Sequence, residues 1–258
     1  DQIPDSIVLS MSQDKNFVTK AELFVLDLLS NYEWDRPINV LSMGGDLNIG
    51  IKEYLEYQGY SFKLVPIKNK TTTSRAGFVD TDELYRLMTE VYSWDAVAAD
   101  DYFIDYQNMY THLGVISIRN LFTTCADAFH RAGEDDRALE MLDRCEEIMK
   151  NYPLEAVPLG FSGNDVMVVD MVGLYYELGA ADKALALASE MGAELLESLR
   201  FYARFYDWAP DEVDIIGSLV YLLADEMTKG GDAEQAKQLT DGLLEILDAT
   251  VQAYKSQG

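Results

Sequence analysis

Gly133-Glu-Asp-Asp-Arg-Ala138, Gly179-Ala-Ala-Asp-Lys-Ala184 and Gly231-Asp-Ala-Glu-Gln-Ala236 decide the fold. In each stretch a glycine precedes an alanine by five residues. Glycine ends a helix in the left-handed region at little steric cost. The small alanine then lets the returning helix pack closely on its partner. Recurrence of this unit predicts a tetratricopeptide-like array of helical hairpins, an architecture that usually holds a partner. The glycines lie 46 residues apart (179 − 133) and then 52 (231 − 179). A strict tetratricopeptide repeats at roughly 34. The repeats are therefore expected to be degenerate, with lengthened second helices.

Working outward, a period near 3.6 predicts helices over about 106–132, 135–151, 165–178, 181–206, 211–229 and 232–255. Pro153, Pro158, Gly160 and Gly163 mark the one long connection. Pro210 suits a first helical turn. Upstream, residues 1–95 alternate strand-like and helix-like segments. Strands are expected at Ser6–Met11, Ile38–Met43 and Phe62–Ile67, the last ended near Pro66, which cannot donate to a ladder. Thr19-Lys-Ala-Glu22 is a capping box that opens a helix with Leu23, Leu26 and Leu29 inward. A short helix is expected over Ile49–Gln58, closed by Gly59, and another near Asp82–Tyr92 behind an Asp80 cap. This alternation favours a small α/β unit with parallel pairing. The expected fold class is α+β: a small N-terminal α/β domain over 1–95, then a tetratricopeptide-like helical repeat domain over 96–258. Leu23, Leu26, Ile38, Val40, Leu64 and Val65 should form the first core. Phe122, Ala126, Phe129, Leu139, Leu142 and Leu174 should belong to the second.

Composition narrows the function. The chain has 20 Lys plus Arg against 45 Asp plus Glu, a net charge of −25. Nucleic acid and anionic membrane surfaces both require cationic side chains, so neither is expected as a partner. No run of about 18 apolar residues could span a bilayer, and no signal peptide is visible. A start other than Met fits a mature or excised piece. Cys125 and Cys145 flank the first hairpin turn symmetrically; two free thiols are expected, with a disulfide as the alternative.

Few constellations suggest chemistry. Met43-Gly-Gly-Asp-Leu-Asn-Ile-Gly50 sits where phosphate loops sit, but it lacks G-x-G-x-x-G spacing, and Asp46 would repel a phosphate. It reads as a tight turn. His112 and His130 lack ligand spacing, so no metal and no cofactor is expected. Asp95, Asp100, Asp101 and Asp105 lack the spacing of a calcium loop and read as a solvated connector. Lys68, Lys70 and Arg75 form the only basic loop. Tyr175, Tyr176, Tyr202, Tyr206 and Trp208, with Phe201 and Phe205, recur along two helices. Such stripes usually pack inward; the other reading is a groove for a peptide or sugar.

Several stretches carry a resemblance across nearly the whole chain: Ile3-Pro-Asp5, Leu26-Asp27, Trp34-Asp-Arg-Pro-Ile38, Gly50-Ile-Lys-Glu-Tyr54, Gln58-Gly59 and Lys63-Leu-Val-Pro-Ile67. Tyr102-Phe-Ile-Asp105, Arg119-Asn120, Ala138-Leu-Glu-Met-Leu142 and Val157-Pro158 continue it. In these the chain resembles the C-terminal soluble region of a bacterial family of large polytopic membrane proteins. That family is similar to the eukaryotic protein O-mannosyltransferase-like transmembrane family. The resemblance implies a parent with a glycosyltransferase-like membrane domain and an extracytoplasmic, periplasmic place for this segment. The family's catalytic residues belong to the membrane part, so none is carried onto this chain. Asn39-Val-Leu-Ser-Met43 departs from the aromatic-rich strand usual in the family.

The expected function is thus a non-catalytic accessory domain. It would hold an acceptor polypeptide, a partner subunit or a glycan near the parent membrane domain. A freestanding nucleotide-binding protein or enzyme using Gly44–Gly50 is one alternative, and a purely architectural domain is the other. Trp34, Arg36, Pro37 and Pro66 are expected to be structural, with the Arg36 fork bonding a carbonyl or carboxylate and stacking on an aromatic.

Overall fold

A computed structural model describes residues 6–9, 16–41, 49–69, 76–101, 115–152, 154 and 164–257. The chain divides into two compact units, Asp1–Ser93 with Asp127–Gly133, and Trp94–Ala126 with Glu134–Gly258. The first unit thus takes in the last turn of one helix as well.

In the first unit, Thr19 caps α1 (Lys20–Ser30). Its hydroxyl accepts from the Glu22 amide at 3.2 Å, and the Glu22 carboxylate accepts the Thr19 amide at 2.8 Å. This is the capping box the sequence predicts, and Glu22 is fully buried in it. Leu23 does not turn inward; it is 55% exposed, while Leu26 and Leu29 are half-buried. The sheet has three short strands, β1 (Asn39–Val40), β2 (Leu55–Tyr57) and β3 (Phe62–Leu64), in the order β1-β3-β2. Both pairings are antiparallel, correcting the parallel sheet expected. Parallel pairing among the described residues is confined to an isolated bridge, Glu56 to Phe78.

The helix expected over Ile49–Gln58 is a single tight turn, Ile51–Tyr54, that runs into β2. Gly59 has φ 83° and turns the β2–β3 hairpin instead of closing a helix. There the Gln58 amide donates to Ser61 O at 2.8 Å, and Tyr57 pairs across the strands with Phe62 at 5.4 Å between rings. No strand forms over Ser6–Leu9, although Ile7 and Leu9 pack on the cluster of Tyr54, Leu55 and Leu64. Ile38 and Val40 border the same cluster; Leu64 and Val65 are buried as expected. Asp80 caps α2 (Thr81–Arg86) by accepting the Glu83 amide at 3.0 Å. The helix ends in a wide turn, Leu87–Val91, with Leu84 and Met88 wholly buried.

The second unit is helical. After α3 (Asp95–Ala98) come α4 (Val115–Arg131), α5 (Asp135–Met149), α6 (Asn164–Glu177), α7 (Ala181–Tyr202), α8 (Pro210–Gly230) and α9 (Ala233–Gln257). These match the predicted helices within a few residues wherever the ends are described. Gly133, Gly179 and Gly231 have φ of 79°, 74° and 106°, all in the left-handed region. At Gly179 the following amide, Ala180, reaches back to Tyr175 O at 2.8 Å, and Gly179 itself donates to Tyr176 O. The Gly231 turn repeats this with Asp232 to Met227 O at 2.8 Å. The two turns thereby satisfy carbonyls that a helix end otherwise leaves orphaned.

Ala138, Ala184 and Ala236 each donate to the carbonyl four residues back, at 3.0–3.1 Å, and each is buried. The register extends further. Positions eleven, eight, seven and four before each glycine are buried in all three helices. They are Phe122, Cys125, Ala126 and Phe129; Val168, Met171, Val172 and Tyr175; Val220, Leu223, Ala224 and Met227. Position twelve after it is buried as Cys145, Met191 and Leu243. Leu142 and Leu174 are core as expected, and Leu139 is half-buried. α7 packs on α6 and α8, and α9 packs on α7 and α8. Overall the molecule is α+β: mostly helical, with one small antiparallel sheet near its start.

Candidate functional site

The aromatic residues singled out from the sequence occupy opposite ends of α7. Tyr175 is wholly buried at the α6 terminus. Its hydroxyl donates to Glu146 and approaches Asp143 at 3.1 Å, both on α5. Lys183, at the start of α7, bonds Asp143 at 2.6 Å. Burial, followed by the Glu146 hydrogen bond, raises the Tyr175 pKa far above the usual phenol range, so the hydroxyl stays protonated. Burial likewise raises that of Glu146. Tyr175 therefore joins helices; it does not line a groove. Tyr176 is half-buried, packs over Gly230 and donates to Asp232 at 2.7 Å.

About 30 Å away along α7, at 1.5 Å per residue, the chain leaves the helix through the turn Ala203–Phe205. Here the predicted aromatics do face solvent. Phe201, Phe205, Tyr206 and Trp208 are exposed, Trp208 by 90%, and Tyr202 is half-buried. Phe201 sits edge-on to Tyr202 at 5.2 Å and tilted to Phe205 at 5.3 Å. Ala203 and Leu199 anchor the turn in the core. Arg200 and Arg204 are exposed among these rings. The structure thus splits the five candidates: Tyr202, Tyr206 and Trp208 share one end, Tyr175 and Tyr176 the other. Periodicity alone could not separate them, because it gives the face of a helix that a residue occupies and not what covers that face.

In the first unit, Trp34 has φ 60° and stacks on Tyr32 at 4.6 Å. The Tyr32 hydroxyl donates to the main-chain oxygen of Arg36. The Arg36 side chain is 88% exposed and, among the described residues, pairs with its neighbour Asp35 at 3.8 Å. The main chain of Arg36 carries the contact to Tyr32. Pro37 is exposed, and Pro66 follows the end of β3 as expected.

The remaining candidates carry little chemistry. Asp100 is tied to Lys150 at 2.9 Å and to Asn151, and the Lys150 bond lowers its pKa. Lys68 pairs with Glu53 at 2.7 Å. His130 is half-buried on α4. Cys125 and Cys145 are buried free thiols. Among the described residues no group of three His, Cys, Asp or Glu side chains could hold a metal. Most of the Gly44–Gly50 turn, with Asp105, His112, Lys70 and Arg75, lies outside the described residues.

Among the described residues no helix is long and apolar enough to cross a membrane. Neither curated proteins nor solved structures give a match to the chain. Residues 1–83, within the first unit, match the family model of TMEM260-associated domain 2, a domain of a membrane-protein family.

Proposed function

We propose that the chain is a non-catalytic binding module of a membrane protein. Its hairpins make a tetratricopeptide-like array that holds a polypeptide or a partner subunit. The observation that carries this reading is the shared register. A tetratricopeptide spaces its buried residues as W-x2-L-G-x2-Y, then A-x3-F. Phe122-x2-Cys125-Ala126-x2-Phe129, with Ala138-x3-Leu142, follows that spacing, and so does the stretch around Gly179; around Gly231 the helix before the turn follows it, while Ala236-x3 leads to a half-buried Thr240. The exposed aromatics from Phe201 to Trp208 supply the contact surface, since rigid rings bury much area at low entropy cost.

The match over residues 1–83 supports a membrane-protein parent. On this reading that parent is O-mannosyltransferase-like, and the array lies on the extracytoplasmic side, where tethering raises the local concentration of an acceptor. Trp208 provides the test. Its fluorescence should shift on titration with unfolded peptides and stay constant with nucleotides, and Trp208→Ala with Phe205→Ala should weaken peptide binding at least about tenfold. Binding of oligosaccharides alone would make the partner a glycan. No binding to any of them would favour an architectural role. Labelling of single cysteines placed in this segment of the full parent reports its side of the membrane.

A further inference from the structure

We propose that the outer face of the α8–α9 hairpin is a docking site for a basic amphipathic helix of a partner polypeptide. The argument rests on register, independently of the aromatic end of α7. In α7 the position thirteen after the turn glycine is Gly192, which is buried against Leu239 of α9. The same position of α5 is Glu146, which receives the Tyr175 hydroxyl from α6. So this position meets the following hairpin in both earlier cases. Its counterpart in α9 is Leu244, half-exposed.

Two further positions are buried in the α6–α7 hairpin and exposed in the next. Leu199 is fully buried in α7, and its counterpart in α9, Val251, is 49% exposed. Val169 is buried in α6, and its counterpart in α8, Tyr221, is 53% exposed. Leu244 and Val251 are seven residues apart, two turns along one stripe. That stripe points away from Leu239 and Gly242, the residues by which α9 meets α7. A terminal repeat that ended the array against water would carry a polar outer face. In α7 the same positions, Gly192 and Leu199, are buried, while Glu146 of α5 is exposed and meets its neighbour through a hydrogen bond, so the face that α7 buries is offered once more by α9.

Charge selects the occupant. Glu245 and Asp248 flank the apolar stripe and are exposed, and Asp225 nearby pairs with Lys229 at 2.8 Å. With a net charge of −25 on the chain, a second copy would be repelled. A cationic helix would be drawn in, with its apolar residues at the i, i+3, i+7 spacing that α8 itself presents to α7.

The probe is a synthetic peptide with the α8 sequence, Pro210–Gly230, in which every Asp and Glu is replaced by Lys. The full chain should bind it in fluorescence anisotropy. Leu244→Glu and Tyr221→Glu should each weaken binding about tenfold or more. The native acidic peptide should not bind. Both variants change exposed side chains and should keep the parental circular dichroism; Val251→Glu replaces either one that does not. No binding of the lysine peptide, or equal binding by the variants, would overturn the proposal. Light scattering that shows a dimer dissolved by Leu244→Glu would also overturn it, because the occupant would then be a second copy.

Discussion

Gly192 of α7 lies directly beneath Leu239 of α9, and a Cβ built on the glycine would stand 2.9 Å from the leucine Cδ1. The contact is reciprocated, since Gly242 of α9 lies 3.0 Å by the same measure from Leu196 of α7. An alanine at 192 gains up to ~1 kcal/mol of helix propensity, and the flexible leucine tip can turn aside. Gly192→Ala is therefore expected to stay within about 1 kcal/mol of the parent. A leucine at 192 cannot be relieved that way, and overpacking should cost ~1–3 kcal/mol. Urea unfolding of Gly192→Leu, Leu239→Ala and the double variant checks this; additive losses would show that the two residues do not meet.

The turn glycines act through conformation alone. Nothing lies within 4 Å of a Cβ placed on Gly179 or Gly231, yet both have positive φ. Gly179→Ala should cost ~1–2 kcal/mol from left-handed strain, and Gly179→Asn less. Equal stability of the alanine and asparagine variants in thermal melts would contradict this.

Glu56 is buried in β2, and burial raises its carboxyl pKa above the usual value despite a hydrogen bond from Gln58. A raised acid binds its proton more tightly folded than unfolded. Its contribution to stability is thus greatest below the unfolded pKa and falls as pH rises through the folded one. Glu56→Gln should accordingly raise the melting temperature more at pH 7 than at pH 4. A larger gain at pH 4 would reverse the sign and refute the burial argument.

Cys125 and Cys145 should resist modification in the native state. Burial pushes the Cys145 thiol up to about 12, which leaves almost no thiolate at neutral pH. A thiol reagent should count two reactive groups only after denaturation, and mass spectrometry with and without reductant should give the same intact mass. A two-dalton difference would reveal a disulfide.

The hairpins were legible because their signals are local. A glycine at the C′ position, an alanine five residues on and a 3.6 period each act within one or two turns of chain. The sheet was not, because pairing joins residues that no local pattern links. Gly59 shows the ambiguity: a left-handed glycine closes a helix and turns a hairpin equally well. Leu23 follows the helical period yet faces solvent, and the buried residue of that turn is Glu22, drawn in by its cap. The planar fork of Arg36 suggests a role for its side chain, while Tyr32 bonds its carbonyl. The outer face of the last hairpin, with Tyr221, Leu244 and Val251, shows only when the three helix pairs are compared position by position.

The joints of the array differ in substance. Lys183, Asp143, Glu146 and Tyr175 tie α5 to α6 and α7 through charged and polar groups, with Lys183 and Asp143 each about half open to water. Glycine and leucine meet where α7 joins α9, Gly192 against Leu239 and Gly242 against Leu196. Dissolved salt screens the first kind of joint and leaves the second untouched. Concentrated salt should therefore slacken the tie between Lys183 of α7 and Asp143 of α5 and spare the contact of α7 with α9.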